Sequence, residues 1–267
     1  MIRRAVAIRY DRTVSVEAGR NQPLRLAVRT DDEIVHDVYL KPSGRREVGI
    51  SGMAFEALAA MVAADLKLPI CEPFFVEIDA TFVASVKDAE AAAVLVASCP
   101  ICFGSEAAGS QWSAFNVGEQ ILSDRQDMAL AITAFDAFIE NIDRGPSGKP
   151  NLLVKGDQFR IIDHELALRV RGLFPPPAPW NVGYLASLPQ PGGHVLARKL
   201  KGNKNLDYAP IKDAWSGLSD ARLDAYLATL PPQWAEALPS MQAAVNHLKK
   251  VRDRIDECIA ELSRVLT

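Results

Sequence analysis

Three residues in the middle of the chain, Asp143, Asn151 and Asp163, supply the oxygen donors that chemistry on a phosphate ester needs. They lie in FDAFIENIDRGPSGKPNLLVKGDQFRIIDHE, residues 135 to 165. A hard divalent cation takes carboxylate and amide oxygens. Phosphoryl transfer on Mg²⁺ also asks for a carboxylate beside the attacking hydroxyl. Asn151 and Asp163 suit the cation, because Leu152-Leu153-Val154 and Phe159-Arg160-Ile161-Ile162 read as short buried strands around the turn Lys155-Gly156-Asp157-Gln158. That hairpin carries Asn151 at its entry and Asp163 at its exit. Asp143 suits the hydroxyl. It follows the helical stripe Ile132, Phe135, Phe138, Ile139, Ile142 and precedes the loop opening Arg144-Gly145-Pro146. An acid at a helix C-terminus works against the helix dipole, so its presence there points to function.

A second pair of residues would complete a nucleotide site. Lys41 ends the apolar strand pattern Val35 to Leu40, and Glu56 lies fifteen residues on, in a helical pattern. A strand lysine held by a helix glutamate positions nucleotide phosphates in kinases. Arg144 has two roles open to it, neutralising phosphate charge or bracing the loop. His164 is expected to pack or hydrogen-bond behind Asp163 rather than bind metal. His36, His194 and His247 read as surface residues.

The elements that must hold these residues follow from periodicity. Ala5 to Arg9, Leu24 to Arg29, Val35 to Leu40 and Phe74 to Ile78 read as strands, and Gly52 to Leu66 as a helix ended by Leu68-Pro69. Helical patterns then run over 87 to 98, 117 to 142, 218 to 229 and 239 to 266. The last is expected to pack on its own domain rather than form a coiled coil. Residues 173 to 193, with six of the chain's prolines, read as a long surface loop in which Trp180 could mark a partner surface. The expected class is α+β and bilobal: an N-terminal lobe over 1–78, a small antiparallel sheet with one helix, and a larger, mostly helical lobe over 79–267.

Composition excludes several alternatives. Apolar residues make up 49% and charged residues 24% of the 267, which predicts a sizeable core. A net charge of -3 gives no electrostatic footprint for nucleic acid. The absence of an 18-residue apolar run argues against a membrane span. The N-terminus has no h-region, so a secretory signal is not expected and the cytoplasm is the expected compartment. Cys99-Pro100-Ile101-Cys102 has zinc-like spacing, but Cys71 and Cys258 are isolated, so the thiols read as structural.

Asn141-Ile142-Asp143-Arg144, Pro150-Asn151-Leu152-Leu153 and Ile162-Asp163-His164-Glu165, with Lys41 and Glu56 before them, resemble the protein-kinase-like superfamily. Within it they most resemble the short group of HipA-like kinases, over roughly residues 19 to 166. The segment Lys67 to Pro73 is similar to that group's link between helix and hinge strand. The resemblance implies a protein-kinase-like fold, ATP with Mg²⁺, and transfer of the γ-phosphate to serine, threonine or another hydroxyl. In it Lys41 contacts the α- and β-phosphates, Glu56 holds Lys41, and Asn151 and Asp163 bind the metal. Asp143 positions the hydroxyl, and the turn at Gly19 lies where a phosphate-covering loop belongs. The acceptor, protein or small molecule, stays open, as does a regulatory partner protein.

The departures are specific. Asp143 and Asn151 are eight positions apart, against five in most protein kinases, with Gly145 to Lys149 filling the gap. Asp163-His164-Glu165 stands where Asp-Phe-Gly is usual, which argues against control by the usual activation-loop phosphorylation. No glycine-rich G-x-G-x-x-G is present. These features leave two other readings, a pseudokinase-type nucleotide-binding or interaction module and a small-molecule phosphotransferase.

Overall fold

The computed structural model of the protein describes residues 2–14, 22–45, 49–141, 143–145, 150–168 and 177–267. Gly19 and most of the loop between Asp143 and Asn151 lie outside them. The first part is a sheet of five strands: β1 (Arg3–Thr13), β2 (Leu24–Thr30), β3 (Val35–Lys41), β4 (Pro73–Glu77) and β5 (Ile101–Glu106), in the order β1-β2-β3-β5-β4. Helix α1 (Gly49–Asp65) lies between β3 and β4, and α2 (Ala80–Ser85) and α3 (Ala89–Val96) between β4 and β5. The expected antiparallel sheet over 1–78 with one helix, α1, differs in one pairing, since β4 pairs with β1 in parallel; α3 falls on the helical pattern at 87 to 98, and α2 precedes it.

Strand β5 was not visible in the sequence. It begins within the Cys99–Cys102 segment and pairs with both β3 and β4, so the sheet draws a strand from beyond residue 78. Its register sets Phe103 opposite Lys41. Alternation along β3 buries Val38 and Leu40 on one face and turns Tyr39 and Lys41 to the other.

Helix α1 is buried nearly all round, from Gly52 to Ala63. Its alanines allow close approach to β5 and to the 3-10 helix Pro232–Ala237. Trp234 of that turn donates its indole N–H to the Ile101 carbonyl at 2.8 Å and meets Phe75 edge-on, with ring centroids 5.3 Å apart.

The rest is mostly helical. The short strand β6 (Ser113–Ala114) joins the hairpin β7 (Leu152–Lys155) and β8 (Gln158–Ile161) in a second sheet, and α4 (Gln126–Phe138) leads into the loop that carries Asp143. Helices α5 (Val195–Leu200), α6 (Ala209–Ser216), α7 (Asp220–Thr229), α8 (Leu238–Asp253) and α9 (Ile255–Leu266) complete the chain. The single helical pattern at 239 to 266 is two helices broken at Arg254, which leaves the helical region at φ -116° and ψ 29°. Their apolar stripes, Met241 to Val251 and Ile255 to Leu266, are buried in the protein's own core. No helix among the described residues is long and apolar enough to cross a membrane.

The cysteines are free and packed. Burial pushes the thiols of Cys102 and Cys258 up to about 12 and raises that of Cys71. Because the thiolate is the nucleophile, native protein at pH 8 should alkylate at half-buried Cys99 well before the other three. Peptide mass mapping after a timed iodoacetamide pulse, native against denatured, checks this order; equal labelling in the native state would contradict the packing.

Candidate functional site

Lys41 is the centre of the site. Its ammonium lies 2.9 Å from Glu56 Oε2, 2.5 Å from Asp163 Oδ1 and 3.1 Å from Glu165 Oε2. Burial opposes the charge, but the three carboxylates outweigh it and hold the ammonium well above its ordinary value. The acids answer differently. Burial also pushes Glu56 up, but Lys41 and hydrogen bonding from His164 hold it well below the usual range. Burial dominates at Glu165 and raises it: Lys41 pulls it down, while Asp163 and Glu56 push it further up. The three carboxylates thus meet on one ammonium, and their mutual repulsion adds to burial at Glu165.

Two local features place these groups. Pro69 and Ile70, just after α1, are tied to the hairpin: the Ile161 N–H donates to the Pro69 carbonyl at 2.8 Å, and Ile70 pairs with Ile161 in parallel. That link holds α1, and Glu56 with it, beside the strand that leads to Asp163. The hairpin register Leu152↔Ile161 and the bond from Ile162 N–H to the Asn151 carbonyl, 3.1 Å, set Asn151 and Asp163 at adjoining strand ends. Both residues have positive φ, 49° and 63°. Asn and Asp tolerate that left-handed region better than most side chains, and such conformations gather at functional sites.

Asp143 is exposed, and its carboxylate accepts from Asn151 Nδ2 at 2.9 Å. Partial desolvation of the carboxyl and the nearby charge of Asp163 raise its pKa, against the hydrogen bond from Asn151 and the charges of Arg144 and Lys41. Helix α4 ends earlier than the apolar pattern suggests, at Phe138. Glu140 turns left-handed (φ 56°) and Asn141 N–H closes back on the Asp136 carbonyl at 2.8 Å, a Schellman-type stop. Asp143 therefore stands in the loop beyond the helix, and the helix-dipole argument for it does not apply. What fixes it is Asn141, whose Oδ1 accepts the Asp143 N–H at 3.2 Å.

Arg144 faces inward. It is 1% exposed and its guanidinium donates to both oxygens of buried Asp136, to the carbonyls of Pro150 and Asn151, and to His164 Nε2. Of the two roles open to it, this is the geometry of a brace. Asp136 also accepts from Asn141 Nδ2 at 2.7 Å and lies 2.9 Å from His194 Nε2. Burial alone would raise its pKa, but Arg144 and His194 hold it well below the usual carboxylate range.

Three further residues belong to this site. In the sequence Glu165 stands out only as the end of Ile162-Asp163-His164-Glu165. Asp136 carries a signal that could have found it: spaced from Ile132 and Ile139 by four and three positions, it is a charge on the apolar face of a helix. His194, expected at the surface, is buried because it caps α5 and pairs with Asp136. His36, also expected outside, is half-buried, 3.2 Å from Glu106 and against the Phe74 ring. His164 is buried, as expected.

A strand lysine on a helix glutamate, with Asp and Asn on a loop and a further Asp at the hairpin exit, is the set of parts that kinase-type phosphotransferases use. The family model for HipA-like kinases matches residues 16–171, more than half of the chain, and the protein belongs to that family. Among solved structures, a Helicobacter pylori proinflammatory kinase, CtkA, aligns over 91% of this chain and 92% of its own at 12% identity and a TM-score of 0.49. No curated protein sequence matches significantly.

Proposed function

We propose that the protein is an ATP- and Mg²⁺-dependent kinase with a bilobal, protein-kinase-like build, in which the sheet lobe extends through β5. It acts in the cytoplasm on a serine, threonine or other hydroxyl of a protein or small molecule. The observation that carries the reading is the meeting of two halves: Lys41, from the sheet, bonds both Glu56 of α1 and Asp163 of the hairpin exit. Asn151, from the other hairpin end, rests on Asp143.

The donor set fits the cation. The side-chain hydrogen bonds of Asn151 among the described residues use its amide N–H, leaving the amide oxygen to act as a ligand, and the Asp163 side chain is 34% exposed. These two residues would hold Mg²⁺, and the turn at Gly19 would cover the phosphates. When bound, the metal nucleotide supplies the phosphoryl group and the positive charge that screens its oxygens. Lys41 contributes a fixed charge toward the α- and β-phosphates, and Glu56 keeps it oriented. Asp143 orients the acceptor hydroxyl and takes its proton late in the transfer. Arg144 keeps the two loop ends together from beneath.

The test is label transfer from γ-labelled ATP to the protein itself and to added protein and small-molecule acceptors, with Mg²⁺ and after chelation. Label should appear with the metal and disappear with the chelator. Folded protein that transfers no label to any acceptor, or transfers it equally in chelator, overturns the proposal.

A further inference from the structure

The ring of His164 joins the two halves of the site. Its Nε2 lies 2.9 Å from Arg144 Nη2. A guanidinium only donates, so Nε2 is the acceptor, and in the neutral ring Nδ1 carries the proton. Nδ1 faces Glu56 Oε1 at 3.6 Å, and the ring packs edge-on against Phe135, with centroids 5.7 Å apart. The main-chain N–H of the same residue donates to Glu56 Oε2 at 2.6 Å, the oxygen that also takes Lys41.

We infer that His164 is a positioning residue. By accepting from Arg144, it aims its own N–H at Glu56, and through Glu56 it sets where Lys41 stands relative to Asp163. A phenylalanine there could still pack on Phe135, but it would leave a buried guanidinium N–H without its acceptor. The Asp-His-Glu triplet thus couples the Asp143–Asn151 loop to α1 through the Arg144 hydrogen bond on one side of the ring and the polar 3.6 Å contact with Glu56 on the other, where Asp-Phe-Gly would rely on apolar packing. The effect on turnover rests on the kinase reading; the coupling of His164 to Lys41 does not.

The test compares wild type, His164→Phe and His164→Gln, whose amide oxygen can still reach Arg144. The first readout needs no nucleotide: the full chain is pulsed with acetic anhydride, and Lys41 acetylation is measured by mass spectrometry against an exposed lysine. His164→Phe should label at Lys41 several-fold faster than wild type, and His164→Gln should return toward wild type. The second readout is steady-state kinetics. The KM for ATP should rise by about 10- to 100-fold in His164→Phe, as for other residues that orient a ligand-binding group. kcat should change less, and Gln should rescue.

Unchanged Lys41 labelling in folded His164→Phe overturns the inference, whatever the kinetics. A wild type without phosphotransfer but with the expected labelling overturns the kinase reading and leaves the coupling standing. If His164→Phe fails to fold, His164→Asn replaces it with the same expectation, because its shorter amide stops short of Arg144.

Discussion

Asp163→Ala is expected to lower Mg²⁺-dependent phosphotransfer on the order of 10²- to 10³-fold, the cost of removing one group that meets charge in the transition state. The change should leave the fold intact. Asp163 is partly exposed, and Lys41 would keep its bonds to Glu56 and Glu165. Asp143→Asn should lower kcat by about 10²- to 10⁴-fold, the range for loss of a positioned acid–base group. It should leave the affinity for Mg²⁺–ATP close to wild type, because the amide oxygen can still accept from Asn151. Calorimetric titration with Mg²⁺–ATP alongside label-transfer rates separates the two variants: binding falls in the first, turnover alone in the second. Wild-type rates in both would remove Asp143 and Asp163 from the chemistry.

The residues of the site could be read from the sequence because each breaks a local pattern. Lys41 closes an apolar strand, Glu56 interrupts an alanine-rich helix, and Asn151 and Asp163 bound a hairpin; the structure brings these four and Asp143 into one place. What could not be read depends on partners far away in sequence. The sequence leaves Arg144 free to face phosphate or brace the loop, and only its contact with Asp136 distinguishes the two; His194 carries no local sign of burial because its partner lies 58 positions earlier. Strand β5 escaped for a different reason. Its first residues carry a C-x-x-C spacing and follow an alanine-rich helical run, so its pairing with β3 and β4 had no local signal. The break at Arg254 was also hidden, since apolar residues keep helical spacing on both sides of it.

The acids near Lys41 also bear on the metal reading. Glu56 is held down by its contacts while Glu165, on the same ammonium, is raised. Asp163, on the same ammonium, adds to the repulsion that raises Glu165. Asp143 is raised partly by the charge of Asp163. A cation held by Asn151 and Asp163 would act on both groups in the same direction, favouring their ionised forms. Asp143 would then stay ionised to lower pH with the metal than without it, and with a lower proton affinity.

Asp136→Ala should have the largest effect on stability. The carboxylate is fully buried and receives Arg144, Asn141 and His194. Removing it leaves a buried guanidinium without its counter-charge, a loss of about 3–5 kcal/mol. For a chain of this size that lowers Tm on the order of 10 °C. Asp136→Asn keeps the shape and removes the charge, so it isolates the electrostatic part. The sign of the pH effect follows from the depressed pKa. The ionised group stabilises the fold fully at pH above its ordinary 3.8, and that contribution is lost as pH falls toward the lower folded value. Wild type should therefore lose Tm more steeply than Asp136→Asn on acidification below about pH 4. Glu56 is depressed too and contributes to the slope of both proteins, so the difference between the two curves reports Asp136. Calorimetry across that range decides it: an Asp136→Ala protein within about 2 °C of wild type, or parallel acid limbs for wild type and Asp136→Asn, would show that the Arg144 brace does not depend on Asp136.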